Sequence, residues 1–167
     1  MKKIFIALLL ATFTLSASAQ FEKGTKYVNA SLSGFGLSYS KQPGFCMNIE
    51  AAGGYFFVNN WMVKGLIGWD HVAGSNQFDL GAGVRYYMQD HGFFFGTGIK
   101  YGLVGVSGGD FGESSVLHNV YLPLEAGYCF FLNDHVTLEP SLYVDMCFNH
   151  FKEATKVGLK LSFGYYF

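Results

Sequence analysis

Ten ionisable residues are the first candidates for chemistry. Glu50, Asp79, Glu125, Glu139 and Asp145 are acids; Lys64, Arg85, Lys100, Lys156 and Lys160 are bases. Five acids against five bases, scattered over more than a hundred residues, suit mutual neutralisation better than paired general acid–base work, which needs carboxyls in different environments at one centre. No Ser/His/Asp set is marked. His71, His91, His135 and His150 fall in or beside turns, and His118 opens an apolar stretch. Cys46, Cys129 and Cys147 are an odd number with no C-x-x-C spacing and no Cys/His cluster, so no zinc site is indicated. They read as three small half-buried residues, with one disulfide plus a spare thiol left open. Gly81-x-Gly83 and Gly96-x-Gly98 lie within strand-like runs with no helix after them, so they are not dinucleotide fingerprints. Asp110-Phe111-Gly112 stands without any other kinase mark. No cofactor, metal site or catalytic residue is expected, and the chain does not read as an enzyme.

The elements that position the ten charges are strands. Val157 to Phe167, VGLKLSFGYYF, alternates large apolar residues (Val157, Leu159, Leu161, Phe163, Tyr165, Phe167) with small or polar ones. Period-two alternation gives a strand two unlike faces. The same pattern runs through Tyr27–Ser40, Phe45–Phe57, Trp61–Asp70, Gln77–Met88, Phe93–Gly105, Val116–Phe130 and Val136–Phe148, which makes eight strands. Leu66 falls on the polar side of its strand. Pro123 and Pro140 each predict a bulge or a missing ladder bond. Connections alternate: Asn59-Asn60, Gln89–Gly92 and Asn133-Asp134 are tight, whereas Lys41–Gly44, Val72–Asn76, Val106–Ser115 and Asn149–Glu153 are read as the longer set. From the second strand onward the apolar face has no Lys, Arg, Asp or Glu. All ten charges sit on the other face. Aromatics gather at strand ends: Tyr55, Phe57, Trp61, Phe93, Phe130, Tyr165 and Phe167 at one rim, Trp69, Phe78, Tyr101 and Phe148 at the other.

Composition agrees. Charged residues make up 14% of the 167 residues, against about 25% in an average soluble domain, while aromatics reach 19% and Gly numbers 22. The net charge is −1 and no basic run could track phosphates, which excludes nucleic acid as a partner. Lys2-Lys3, the apolar run Ile4–Leu15 and Ala17-Ser18-Ala19 have the form of a cleavable signal peptide, residues 1–19, with the mature domain at 20–167. The apolar run is shorter than the roughly 20 residues of a spanning helix. The fold expected is all-β: an eight-stranded antiparallel up-and-down transmembrane β-barrel behind a signal peptide, its lumen filled by the ten paired charges. A functional reading of those charges as an ion or solute path is the weaker one.

Alternation, turn asymmetry and ending together resemble the small eight-stranded outer-membrane barrels of Gram-negative bacteria, the OmpA, OmpX and OmpW types and the porin-like barrel domains. The resemblance covers essentially all of the mature chain. Its most specific part is the C-terminal signal read by the barrel-assembly machinery: Lys160 in the polar place, then Tyr165 and Phe167, with Ser162 where Gly is usual. It implies residence in the cell outer membrane, contact with outer-membrane lipid and lipopolysaccharide, short turns and both termini at the periplasmic side, and folding by that machinery. The function expected is a structural or porin-like integral barrel. Two alternatives stay open: an OmpW-type channel or carrier for small hydrophobic solutes, with a lateral opening near Pro123 and Pro140, and a soluble secreted barrel that binds an apolar ligand. A lipid-deacylating barrel would need a His-x-Ser pair near the outer rim; His118 and His150 lack it, and His135-Val136-Thr137 lies at the wrong rim.

Overall fold

The computed structural model describes residues 21–33, 46–72, 75–88, 92–106, 115–149 and 155–167. The strands are β1 (Lys26–Ser33), β2 (Cys46–Val58), β3 (Trp61–Val72), β4 (Ser75–Tyr87), β5 (Phe93–Val106), β6 (Ser115–Tyr128), β7 (Phe130–Phe131), β8 (Val136–Cys147) and β9 (Lys156–Tyr166). They form one sheet in the order β6-β5-β4-β3-β2-β1-β9-β8-β7, and β6 also pairs with β8, so the sheet closes on itself. β6 and β7 are one stave interrupted at Cys129, which leaves an eight-stave antiparallel barrel. The first and last strands close it, with Tyr27 opposite Tyr166 and Ser33 opposite Lys160.

Alternation sets the faces as expected. In β3 the exposure switches at every residue, Trp61, Val63, Ile67 and Trp69 outward, Met62, Lys64 and Asp70 inward. Leu66 is indeed inward and buried. From β2 to β9 no outward side chain among the described residues is Lys, Arg, Asp or Glu. The rim aromatics of the sequence reading are outward-facing, and Trp61 packs on Tyr86 with ring centroids 4.9 Å apart.

Both prolines interrupt a ladder without shifting register. Gly127 faces Ser141 and Phe130 faces Leu138, so Tyr128 stands opposite Pro140, which has no N–H to donate; there the β6 stave breaks. At Pro123 the gap is on the other side. β5 and β6 pair at Thr97–Leu124 and again at Lys100–Tyr121, and the two rungs between, Gly98–Pro123 and Ile99–Leu122, are missing. β5 bows toward β4 at the same place. A carbon added at Gly98 would overlap the Ala82 carbonyl and lie 2.7 Å from the Gly83 Cα.

One boundary differs from the sequence reading. The longer connection expected at Val72–Asn76 is ladder instead: Val72 pairs with Ser75 and His71 with Asn76, leaving only residues 73–74 between the strands. β1 ends at Ser33 among the described residues; the expected extension to Ser40 lies outside them. The loop expected at Val106–Ser115 also falls mostly outside the described residues, as does the signal peptide. The Asn59-Asn60 turn is present, with Asn60 at φ +66°, a left-handed conformation that Asn tolerates better than most residues. It follows a bulge between Phe56 and Val58.

The Gly83–Gly98 approach is testable. Gly98→Ala should lower unfolding free energy by about 1–3 kcal/mol, the range for overpacking against an unyielding neighbour. Gly105→Ala, whose added carbon meets only the Asn76 carbonyl at 3.8 Å, is the matched control and should change little. Urea titration of the refolded barrel reads both.

Candidate functional site: an ion-paired lumen

Among the described residues the inward positions concentrate the charge, and the strands stack it in layers. At the end where the termini meet, the layer is apolar: Phe21, Phe56, Met62, Phe94 and Phe131 pack with Tyr27, Tyr87, Tyr166 and Cys129. Phe21 precedes β1 and folds back into the mouth, stacked on Tyr87 at 4.2 Å, its carbonyl accepting from the Asn60 amide at 2.7 Å.

Above that plug sits Glu139, wholly buried. Its Oε2 accepts from Tyr27 at 2.7 Å and Arg85 Nη1 at 2.7 Å; its Oε1 accepts from Thr137 at 2.9 Å, Tyr166 at 3.0 Å and Cys129 Sγ at 3.5 Å. A carboxylate ringed by donors is the arrangement that makes a buried anion tolerable. Arg85 spans two layers. Its Nε donates to Glu125 at 2.9 Å, and its guanidinium lies 4.1 Å from the Phe94 ring centroid. Glu125 also takes Lys64. Further along, Lys160 donates to Glu50 at 3.0 Å, Lys100 pairs with Asp145, and Lys156 donates to Asp70 at 2.6 Å. Asn48 closes on Asp70, and Gln77 on Asp79.

All ten charges named from sequence face the lumen, and each has an ionic partner of opposite sign; Asp79 has the most distant, Lys100 at 3.6 Å, which it shares with Asp145. Asp70 is an eleventh member that the sequence reading placed on the polar face and left out of the network. The tyrosine hydroxyls of Tyr27, Tyr87 and Tyr166 and the apolar plug were missed as well. The signal was available: Tyr27, Phe56, Met62, Tyr87, Phe94 and Tyr166 all hold inward parity within two residues of a strand end. Of the C-terminal residues, Lys160 is inside the network, while Tyr165 and Phe167 point outward at the rim.

Among the described residues two small voids lie between the ion pairs, each on the scale of a water molecule or two. One adjoins Lys64, Lys100, Glu125 and Pro123 at mid-height, and the other adjoins Ser33, Asn48, Asp70 and Lys156. Neither continues through the aromatic plug, since no plug residue lines them. The described histidines lie outside the lumen network: His71 meets Asn76 at 2.9 Å, His118 meets Tyr101 at 2.6 Å, and His135 contacts the Tyr166 carbonyl at 3.0 Å. Cys129 and Cys147 are free, and both are fully buried where half-burial was expected. Cys129 adjoins the plug and Cys147 faces Tyr121 toward the opposite rim, so these two do not pair.

No protein-family model and no curated protein sequence matches the chain. Solved structures do. The N-terminal β-barrel domain of OprF from Pseudomonas aeruginosa aligns with a TM-score of 0.69 at 13% identity, over 87% of this chain and 98% of that one. Ail, the attachment invasion locus protein of Yersinia pestis, aligns at 0.53 and 19% identity, over 87% and 99%. Neisserial surface protein A aligns at 0.53 and 14%, over 85% and 94%. At these identities the likeness is one of fold: a closed small barrel of outer-membrane architecture.

Removing the hub should be costly. Glu139→Ala leaves Arg85 and three hydroxyls facing a hole, and a broken buried ion pair costs about 3–5 kcal/mol. Glu139→Gln keeps two acceptor lone pairs and should cost less. The temperature at which the folded band disappears on an unheated-sample gel ranks the two variants.

Proposed function

We propose that the chain is a non-enzymatic integral barrel of the outer membrane, with a structural lumen and its termini at the periplasmic rim. One observation carries this reading: among the described residues, the outward face of strands β2 to β9 holds no Lys, Arg, Asp or Glu, and its exposed members include Ile67, Leu80, Ile99 and Leu142 at mid-strand. A lipid-facing cation at mid-bilayer costs about 2–4 kcal/mol, so this emptiness of charge is what a bilayer requires. A soluble barrel would hold the same side chains in water, against the hydrophobic effect. The partners follow. Outer-membrane lipid and lipopolysaccharide meet the aromatic rims, and the assembly machinery reads Lys160, Tyr165 and Phe167 after export through the signal peptide at 1–19. The ion-paired lumen with its aromatic plug supports a sealed scaffold over an open pore.

A second reading, lateral passage of small apolar solutes, has one observation in its favour. The missing rungs at Gly98–Pro123 and Ile99–Leu122 thin the wall beside the mid-height void. That places the weak seam between β5 and β6, not between the two prolines.

Ile99→Arg, in the centre of that outward face, should lower folding free energy in lipid vesicles by about 2–4 kcal/mol, and Leu132→Arg near the rim by no more than about 1. Equal costs at the two sites would contradict a lipid-facing wall. Recovery of the wild-type protein from cells without detergent would favour the soluble alternative, and steady discrete conductance steps in a planar bilayer would contradict the seal.

A further inference from the structure

The lumen's charges do not balance. Among the described residues, six acids face inward (Glu50, Asp70, Asp79, Glu125, Glu139, Asp145) against five bases (Lys64, Arg85, Lys100, Lys156, Lys160). The contacts show where the surplus lies. Lys64 and Arg85 together hold Glu125 and Glu139; Lys100 holds Asp145; Lys156 holds Asp70; Lys160 holds Glu50. Every base is thereby engaged, and Asp79 is left with only a second claim on Lys100. Its Oδ1 accepts from Gln77, but its Oδ2 is buried with no hydrogen-bond partner, and Lys100, committed to Asp145, stands 3.6 Å away. Asp79 is 1% exposed.

We propose that Asp79 is a cation-accepting site of the lumen, and that the cation it holds is a proton. A buried anion with one oxygen free of hydrogen bonds and only a shared cation nearby is expensive, and neutralising it is the cheap remedy. An alkali ion needs several oxygen ligands and space. Asp79 lines neither of the two lumen voids, and the ammonium of Lys100 occupies the approach to its free oxygen. A proton needs neither ligands nor space. The surrounding groups come from every neighbouring strand: Asp70 on β3 with its partner Lys156 on β9, Lys100 on β5, Gln77 on β4 itself, Tyr121 on β6 through Gln77, Asp145 on β8 and Glu50 on β2 through Lys100. The two remaining carboxylates near Lys100 already hold bases, so the proton resides on Asp79. The inference stands on the geometry of the lumen, whatever solvent bathes the outer wall.

Asp79→Asn mimics the neutral carboxyl, and it separates this proposal from a purely structural anion. Infrared spectra of the mature chain refolded in vesicles at neutral pH should show a protonated-carboxyl stretch that is absent in Asp79→Asn and retained in Glu22→Gln, an exposed control. Asp79→Asn should fold as the wild type does, whereas Asp145→Asn, which strips Lys100 of its partner, should unfold at lower urea. No protonated-carboxyl band at neutral pH, a band that survives Asp79→Asn, or failure of Asp79→Asn to fold would each overturn the proposal. A wild-type stability that depends on sodium or potassium concentration at fixed pH and high ionic strength, and loses this dependence in Asp79→Asn, would replace the proton by an alkali ion.

Discussion

An eight-stranded barrel leaves room inside for little more than the side chains of its own wall, and a charge placed there has no water to retreat to. Every inward residue must therefore fit and every inward charge must be answered from across the axis. Glu139 shows how completely this is done: hydroxyls from β1, β8 and β9, a thiol from the β6–β7 break and a guanidinium from β4 converge on one carboxylate. The ladder holds neighbouring staves together, and the lumen network ties staves that the ladder never joins. Lys64 on β3 reaches Glu125 on β6, and Lys160 on β9 reaches Glu50 on β2. Such pairs are weak evidence for raw stability, because desolvation offsets much of their attraction. They are strong evidence for register, since a one-residue slip of any stave would turn its charges out toward the apolar face.

That same parity made the faces legible from sequence. Period two assigned Arg85, Lys100 and Glu125 inward and Ile99 outward with no structure in hand, because inside and outside differ in polarity at every step. Pairing across the lumen was not legible. Lys160 and Glu50 are separated by 110 residues, and nothing local in either strand names the other. The apolar plug was hidden for a different reason. Inward parity was read as polar, whereas Phe56, Met62 and Phe94 hold inward parity and are apolar, since a closed mouth excludes water as a core does. The β3–β4 connection misled because His71, Asn76 and Ser75 look like turn residues; in an exposed ladder end, polar side chains cost nothing.

The two prolines and the paired glycines form one local exception to regular barrel geometry. Pro140 removes a donor where the β6 stave passes the plug, while on the β5 side the ladder continues, the Cys129 amide donating to the Gly92 carbonyl at 2.8 Å. Pro123 removes a donor opposite Gly98, a residue already drawn toward Gly83 on the far side. Backbone groups left unpaired in a hydrocarbon layer are expensive, so a gap of this kind is tolerable only where polar surroundings lie just behind it. The mid-height void and the Lys64 and Glu125 head groups supply such surroundings. The position of the gap is therefore tied to the position of the ion pairs.

The lumen changes character along its axis, and the change explains why three of its tyrosines, Tyr27, Tyr87 and Tyr166, gather at the terminal rim. At the terminal rim a seal has to be apolar toward the opening and polar toward Arg85 and Glu139. Tyrosine is both in one side chain. Tyr27, Tyr87 and Tyr166 lay their rings among Phe21, Phe56 and Phe131 and turn their hydroxyls to the charged layer. Phenylalanine at these positions would leave Glu139 and Arg85 short of partners, and a longer polar residue would leave the mouth unfilled. Toward the other rim the described residues form no such boundary: Ser33, Asn48, Asp70 and Lys156 grade from paired charge to neutral amide and hydroxyl around a small polar void.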